Sequence, residues 1–127
     1  MTLPVSVKGV LLLQGQVVLV KNARDEWELP GGRPDAGEEH AQTLTREFLE
    51  ELSLSVAVGR QIDSCVFEVI PGREVQIVTY ECTLDGAFAP SISDEHSEYC
   101  LWPAERLSEI NLPTGYRVSV ERLLDAV

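Results

Sequence analysis

Cysteine is scarce in this chain. It has three among 127 residues, Cys65, Cys82 and Cys100, widely spaced and with no Cys-x-x-Cys pair. A structural zinc site needs closely spaced ligand pairs. A zinc site is therefore unsupported, and three reduced thiols packed mostly in strands are expected. Long apolar runs are also lacking. The longest, residues 10–13, is strand-sized, far below the roughly 20 residues of a membrane-spanning helix, so no membrane partner is expected. No signal-peptide pattern is visible: Lys8 comes late, and no cleavage-type segment follows a long apolar stretch. A cytoplasmic protein is expected. Basic residues are few, 10 Lys and Arg against 21 Asp and Glu, for a formal net charge of −11. Such a chain repels polyanions, which excludes non-specific nucleic-acid binding. It can still hold a phosphorylated small molecule if divalent cations stand between the two sets of negative charge, so the placement of the acids matters more than their number.

What is present is enough apolar material, 44%, to fill one core, and a single domain over residues 1–127 is expected. Residues 5–13 and 16–21 are rich in β-branched and aliphatic side chains and read as a strand hairpin about Gln14-Gly15. Residues 22–26 read as a loop and 27–29 as a short extended piece stopping at Pro30-Gly31-Gly32, with a loop through Gly37. A helix is predicted from Glu38 to about Leu52, where Ala41, Leu44, Phe48 and Leu52 recur at helical spacing. Residues 56–70 and 74–84 read as strands joined at Pro71-Gly72. Residues 85–94 read as a loop and 98–102 as a short strand. Pro103 suits the first turn of a short helix, and 114–127 read as a closing helix. Irregular alternation of this kind predicts an α/β fold, a mixed sheet with helices on its faces.

The chemistry concentrates in residues 31–54, GGRPDAGEEHAQTLTREFLEELSL. Glu47, Glu50 and Glu51 stand at i, i+3 and i+4, on one side of the predicted helix. Clustered like charges destabilise a helix and raise one another's pKa values. Arg46, four residues before Glu50, relieves part of this but cannot neutralise the cluster. A hard cation can, because magnesium and manganese prefer carboxylate oxygens. Magnesium usually takes one or two carboxylates, so three converging acids suggest more than one metal, or a metal and a free base. Gly31-Gly32 allows unusual backbone angles and the close approach of a ligand.

This segment resembles the Nudix box, Gly-x5-Glu-x7-Arg-Glu-U-x-Glu-Glu-x-Gly-U, where U is bulky and apolar. Gly32, Glu38, Arg46, Glu47, Phe48, Glu50, Glu51 and Leu54 stand in register, and Ser53 replaces the second glycine. A glycine there would end the helix in a left-handed conformation that costs serine more. The lead-in Trp27-Glu28-Leu29-Pro30 and the downstream Glu95-His96 with Trp102 extend the likeness. The resemblance implies a Nudix-type α/β/α sandwich with a mixed sheet between helices. It also implies hydrolysis of a phosphoanhydride in a nucleoside-diphosphate-linked substrate, such as ADP-ribose, a dinucleoside polyphosphate or a nucleoside triphosphate. Magnesium would be the cofactor, with manganese as a substitute. Glu47, Glu50, Glu51 and the Gly31 carbonyl would be metal ligands, and Glu38 and Arg46 would pair to brace the loop against the helix. Glu50, Glu51, Arg46 and a glutamate outside the box would serve catalysis. Glu95 is the choice for that outside glutamate and Glu98 the runner-up. Arg24, Trp27 and Gly32 are the candidate substrate contacts, Trp27 as core or pocket wall. His96 reads as a surface hydrogen-bonding group. Tyr116 and Arg117 open the last helix and read as caps of the fold, with reach into the cleft as the alternative, and Phe67 and Tyr80 read as sheet packing. The partner would be a small nucleotide-type molecule, and the chain a monomer or homodimer. The alternative is a catalytically silent Nudix-fold nucleotide-binding module, whose expected sign, loss of a box glutamate, is missing here.

Overall fold

A computed structural model describes residues 3–92, 96 and 98–125. Among the described residues there are seven strands: β1 Val5–Leu13, β2 Gln16–Lys21, β3 Trp27–Glu28, β4 Gly31–Gly32, β5 Val56–Ile70, β6 Arg73–Leu84 and β7 Tyr99–Pro103. They join in the order β3-β2-β1-β6-β5, with β4 added to β1 and β7 to β2. The sheet is mixed, as expected: β1 runs parallel to β6 and antiparallel to β2 and β4. Two α-helices, α1 His40–Leu52 and α2 Thr114–Asp125, and a 3₁₀ segment Ala104–Glu109 complete the elements. Among the described residues no helix is long and apolar enough to cross a membrane.

Alternation along the strands explains the layers. In β2, Val17 and Leu19 face one side with Tyr116, Val120 and Leu123 of α2, while Val18 and Val20 face the other with Leu44, Phe48 and Leu52 of α1. A period of two on a sheet covered on both faces requires this division. Leu44, Phe48 and Leu52 are 0% exposed. Each such side chain contributes about 1.5–3 kcal/mol by leaving water, which fixes α1, and the acids it carries, against the sheet. The cysteines are free thiols.

Several boundaries differ from the sequence reading. Helix α1 starts at His40 rather than Glu38. The Glu39 N–H donates to the Gln42 side chain at 2.8 Å, and the Glu38 carboxylate is drawn away to Arg46. The Gly31-Gly32 pair is a short strand on β1 rather than loop, because Gly31 and Gly32 come opposite Lys8 and Val7. β3 stops at Glu28 and β6 opens at Arg73, each one residue away from the reading. β7 spans Tyr99–Pro103, and Pro103 both closes this strand and caps the short 3₁₀ segment Ala104–Glu109 that was expected after it. Ser53 takes the left-handed cap, φ 57°, and its N–H donates to the Leu49 carbonyl. The helix therefore ends where a glycine would end it.

Candidate active site

The loop before α1 is held by one carboxylate. Glu38 accepts from the Asp35 N–H at 2.9 Å and from the Thr43 hydroxyl at 2.8 Å. It also receives Arg46 through two bonds, Nε at 2.9 Å and Nη2 at 3.0 Å. Arg46 donates further to the Arg33 carbonyl, to Glu47 at 2.9 Å and to Glu50 at 3.0 Å. The expected Glu38–Arg46 brace is thus present. It reaches further than expected, since one guanidinium touches two of the three clustered acids.

The Arg46 guanidinium holds the Glu38 carboxyl down to about 2. The unfolded chain therefore takes up this proton first as pH falls. The brace contributes fully above about 4.5 and is lost as pH approaches about 2. Glu38→Gln should be less stable than the parent at neutral pH, with the difference shrinking below pH 4.5. Urea unfolding followed across that range checks this.

Glu51 is the unusual acid. It is 1% exposed. Its Oε2 accepts from the Gly31 N–H at 3.0 Å, whereas Oε1 is buried without a hydrogen bond. His96 Nε2 stands 3.3 Å from that oxygen and 3.3 Å from Glu28 Oε1, without hydrogen-bond geometry to Glu51. Burial pushes the Glu51 carboxyl up to about 8, opposed by the Lys8 charge and reinforced by Glu47. Burial also raises Glu47. A Cβ on Gly32 would lie 2.7 Å from the Glu47 carboxylate, so the bare backbone there makes room for the acid. Glu50 is exposed and meets Arg46. As they stand, no three acidic, histidine or cysteine side chains among the described residues are gathered tightly enough to form a ready cage.

Lys8, whose charge acts on Glu51, lines a cleft of about 310 Å³ with Arg24, Glu28, Arg33, Arg73 and Tyr116 among others. Lys8 is 5% exposed and 3.9 Å from Glu28. Burial alone would lower its pKa, but Tyr116, Glu28, Glu51 and Glu47 around it leave it raised. Burial likewise opposes ionisation of Glu28, yet His96, Lys8 and Asn22 hold that carboxyl below its usual range.

The sequence reading missed Lys8 and Glu28 altogether. A lysine interrupting the apolar run of β1 was the available signal. Tyr116 follows the alternative reading and not the preferred one: it is 6% exposed, packs on Phe67 and lines the cleft. Arg117 lies apart from the cleft, beside Glu121 and the 3₁₀ segment. His96 is not a surface group, since its side chain is 8% exposed. Tyr80 bonds the His40 ring at 2.9 Å. Arg24 does line the cleft, paired with Glu26. Trp27 does not: its ring packs on the α2-side core with the Lys21 ammonium 4.9 Å above it. Glu98 is tied to Lys21 at 3.0 Å. Glu95 lies outside the described residues; of residues 93–97 only His96 is described.

A family model described as the NUDIX domain matches residues 2–123. The chain belongs to the Nudix family. A "Putative 8-oxo-dGTP diphosphatase 2" of Mycobacterium tuberculosis is 45% identical over 51 residues, covering 40% of this chain and 36% of that protein. A "Putative 8-oxo-dGTP diphosphatase" of Bacillus subtilis is 36% identical over 55 residues, 42% of this chain and 37% of its own length. The match thus spans little more than a third of these curated Nudix relatives. Among solved structures, a MutT protein from Methanosarcina mazei has a TM-score of 0.83 at 22% identity, covering 97% of this chain and 94% of that one. A C. elegans Ap4A hydrolase has 0.83 at 17%, covering 98% and 97%. At these identities the likeness establishes the Nudix fold.

Proposed function

We propose that this Nudix chain is a metal-dependent pyrophosphohydrolase. It would cleave the phosphoanhydride of a nucleoside-diphosphate-linked substrate into a nucleoside monophosphate and a phosphorylated remainder. The observation that carries the reading is Glu51, a carboxylate buried with one oxygen unbonded and under the charge of Lys8, which lines a cation-rich cleft. An orphaned buried acid is costly unless something binds it.

The residues fit a magnesium or manganese ion. Carboxylate oxygens are the donors such ions prefer, and the space for Glu47 depends on Gly32 having no side chain. Glu47, Glu50, Glu51 and the Gly31 carbonyl would hold the ion. When bound, it supplies neutralisation of the anhydride oxygens and a lowered pKa for the attacking water. Arg46 and Glu38 keep the carboxylates in place. Glu95 is assigned as the outside base that takes the water's proton, favoured over Glu98 because Glu98 is engaged by Lys21. Gly32 gives the diphosphate close access, and Arg24 offers a charge to it. The names of the relatives, diphosphatases and an Ap4A hydrolase, support the reaction class. All three box glutamates being present argues against a silent binding module.

Phosphorus NMR of a panel holding ADP-ribose, a dinucleoside polyphosphate, a nucleoside triphosphate and a nucleotide sugar tests this. With magnesium or manganese, one class should be split to a nucleoside monophosphate, and chelation with EDTA should stop it. No cleavage of any class with either metal would overturn the reading.

A further inference from the structure

Cations are rare in this chain, ten against 21 acids, yet four of them meet in one cleft. Lys8 comes from β1, Arg24 from the turn between β2 and β3, Arg33 from just after β4, and Arg73 from the start of β6. Two wider grooves lie elsewhere, about 480 Å³ between β5 and α2 and about 580 Å³ along the outer face of α1. Neither gathers more than one Lys or Arg.

Among the described residues that line the cleft, cations outnumber acids. Glu28 is the one acid among those described, and it already meets His96 and Asn22 at 3.3 Å. Lys8, 3.9 Å from Glu28, is beyond hydrogen-bond range of it and donates to no other described residue. Arg33 and Arg73 make no ion pair with any described carboxylate, in a chain where acids outnumber bases by about two to one. Burying an ammonium with no hydrogen-bonded partner is unfavourable. Arginine forks match the paired oxygens of a phosphate. One lining residue connects to the carboxylates. Lys8 is the strand partner of Gly31, whose N–H bonds Glu51.

Resting on the hydrolase reading above, we propose that this cleft is an anion subsite for a phosphate group beyond the scissile anhydride. The enzyme would then prefer a chain of three or more phosphates over a diphosphate ending in a neutral sugar. The metal-holding carboxylates serve the scissile diphosphate. Lys8, Arg33 and Arg73 call for more negative charge than that diphosphate brings, Arg24 being paired with Glu26.

Two measurements test this. In the first, inorganic tripolyphosphate is titrated calorimetrically into the metal-free protein in EDTA at low ionic strength. Binding is expected, weakened about tenfold in Arg73→Gln and in Arg33→Gln. It should be unchanged in Arg106→Gln, which removes a charge paired with Glu109 outside the cleft. In the second, kcat/KM is compared for a nucleoside triphosphate and ADP-ribose with magnesium, and the ratio should fall about tenfold in Arg73→Gln. Tripolyphosphate binding that is absent, or equal in all four proteins, would overturn the subsite, as would an unchanged ratio. If tripolyphosphate binds as described but no substrate is cleaved, the subsite stands and the hydrolase reading fails.

Discussion

Glu51→Gln is expected to lower turnover by roughly a thousandfold while leaving the fold and melting temperature essentially unchanged. The two halves of this expectation have one cause. Glu51 sits at the inner end of α1, with one oxygen fixed by the Gly31 amide and the other buried without a hydrogen bond. Burial already holds the metal-free carboxyl protonated up to about 8, so at pH 7 glutamine replaces a neutral group of the same shape. Folding loses little. A bound cation loses a negatively charged oxygen that an amide cannot replace. Thermal melting and steady-state kinetics on the same preparation check both halves. A variant that melts early would assign Glu51 to structure, and one that turns over normally would remove it from catalysis.

Gly31→Ala is expected to destabilise the protein by roughly 3 kcal/mol or more, the largest stability effect foreseen. The backbone at Gly31 has φ 145°, and an added Cβ would lie 2.0 Å from the Val7 carbonyl oxygen. Strain and collision therefore act together, and both partners are backbone that cannot rotate away. Its neighbour should behave differently. At Gly32 the added Cβ would strike the Glu47 carboxylate at 2.7 Å, and a side chain can move aside. Gly32→Ala should keep most of its stability and lose activity by roughly 10–100-fold, as supporting residues of metal sites do. Urea unfolding and kinetics of the two variants should separate, with Gly31→Ala failing in the first and Gly32→Ala in the second. Equal stability for Gly31→Ala and the parent would contradict the packing of β4 on β1.

The parts legible in the sequence were those carried by local pattern. The period of Leu44, Phe48 and Leu52 gives α1, and the continuous apolar run Val17 to Val20 suits a strand buried on both faces. The Glu38–Arg46 contact was anticipated by the resemblance to the Nudix box and not by spacing, since eight residues along one helix would set the pair about two turns apart. The cleft was not legible. Lys8, Glu28, Arg73 and Tyr116 belong to four separate elements, and only the pairing of β1 with β4 and β6, together with the packing of α2, brings them together. No spacing rule reports such a meeting. Tyr116 was read as a cap because a helix start looks the same whether it faces solvent or a cleft. The precise start of α1 was missed because Glu38 fits a first turn by composition, yet its carboxylate is held outside the helix by Arg46.

The account depends on Glu51 belonging to a site that holds a divalent cation. Manganese binding, followed by loss of the free-ion electron paramagnetic resonance signal, tests this in the parent chain and in Glu51→Gln. The parent should take up manganese, and the variant should bind it at least about tenfold more weakly with its melting temperature unchanged. Equal binding by both proteins would contradict the account, placing the ion elsewhere and leaving the buried Glu51 carboxylate without a role in chemistry.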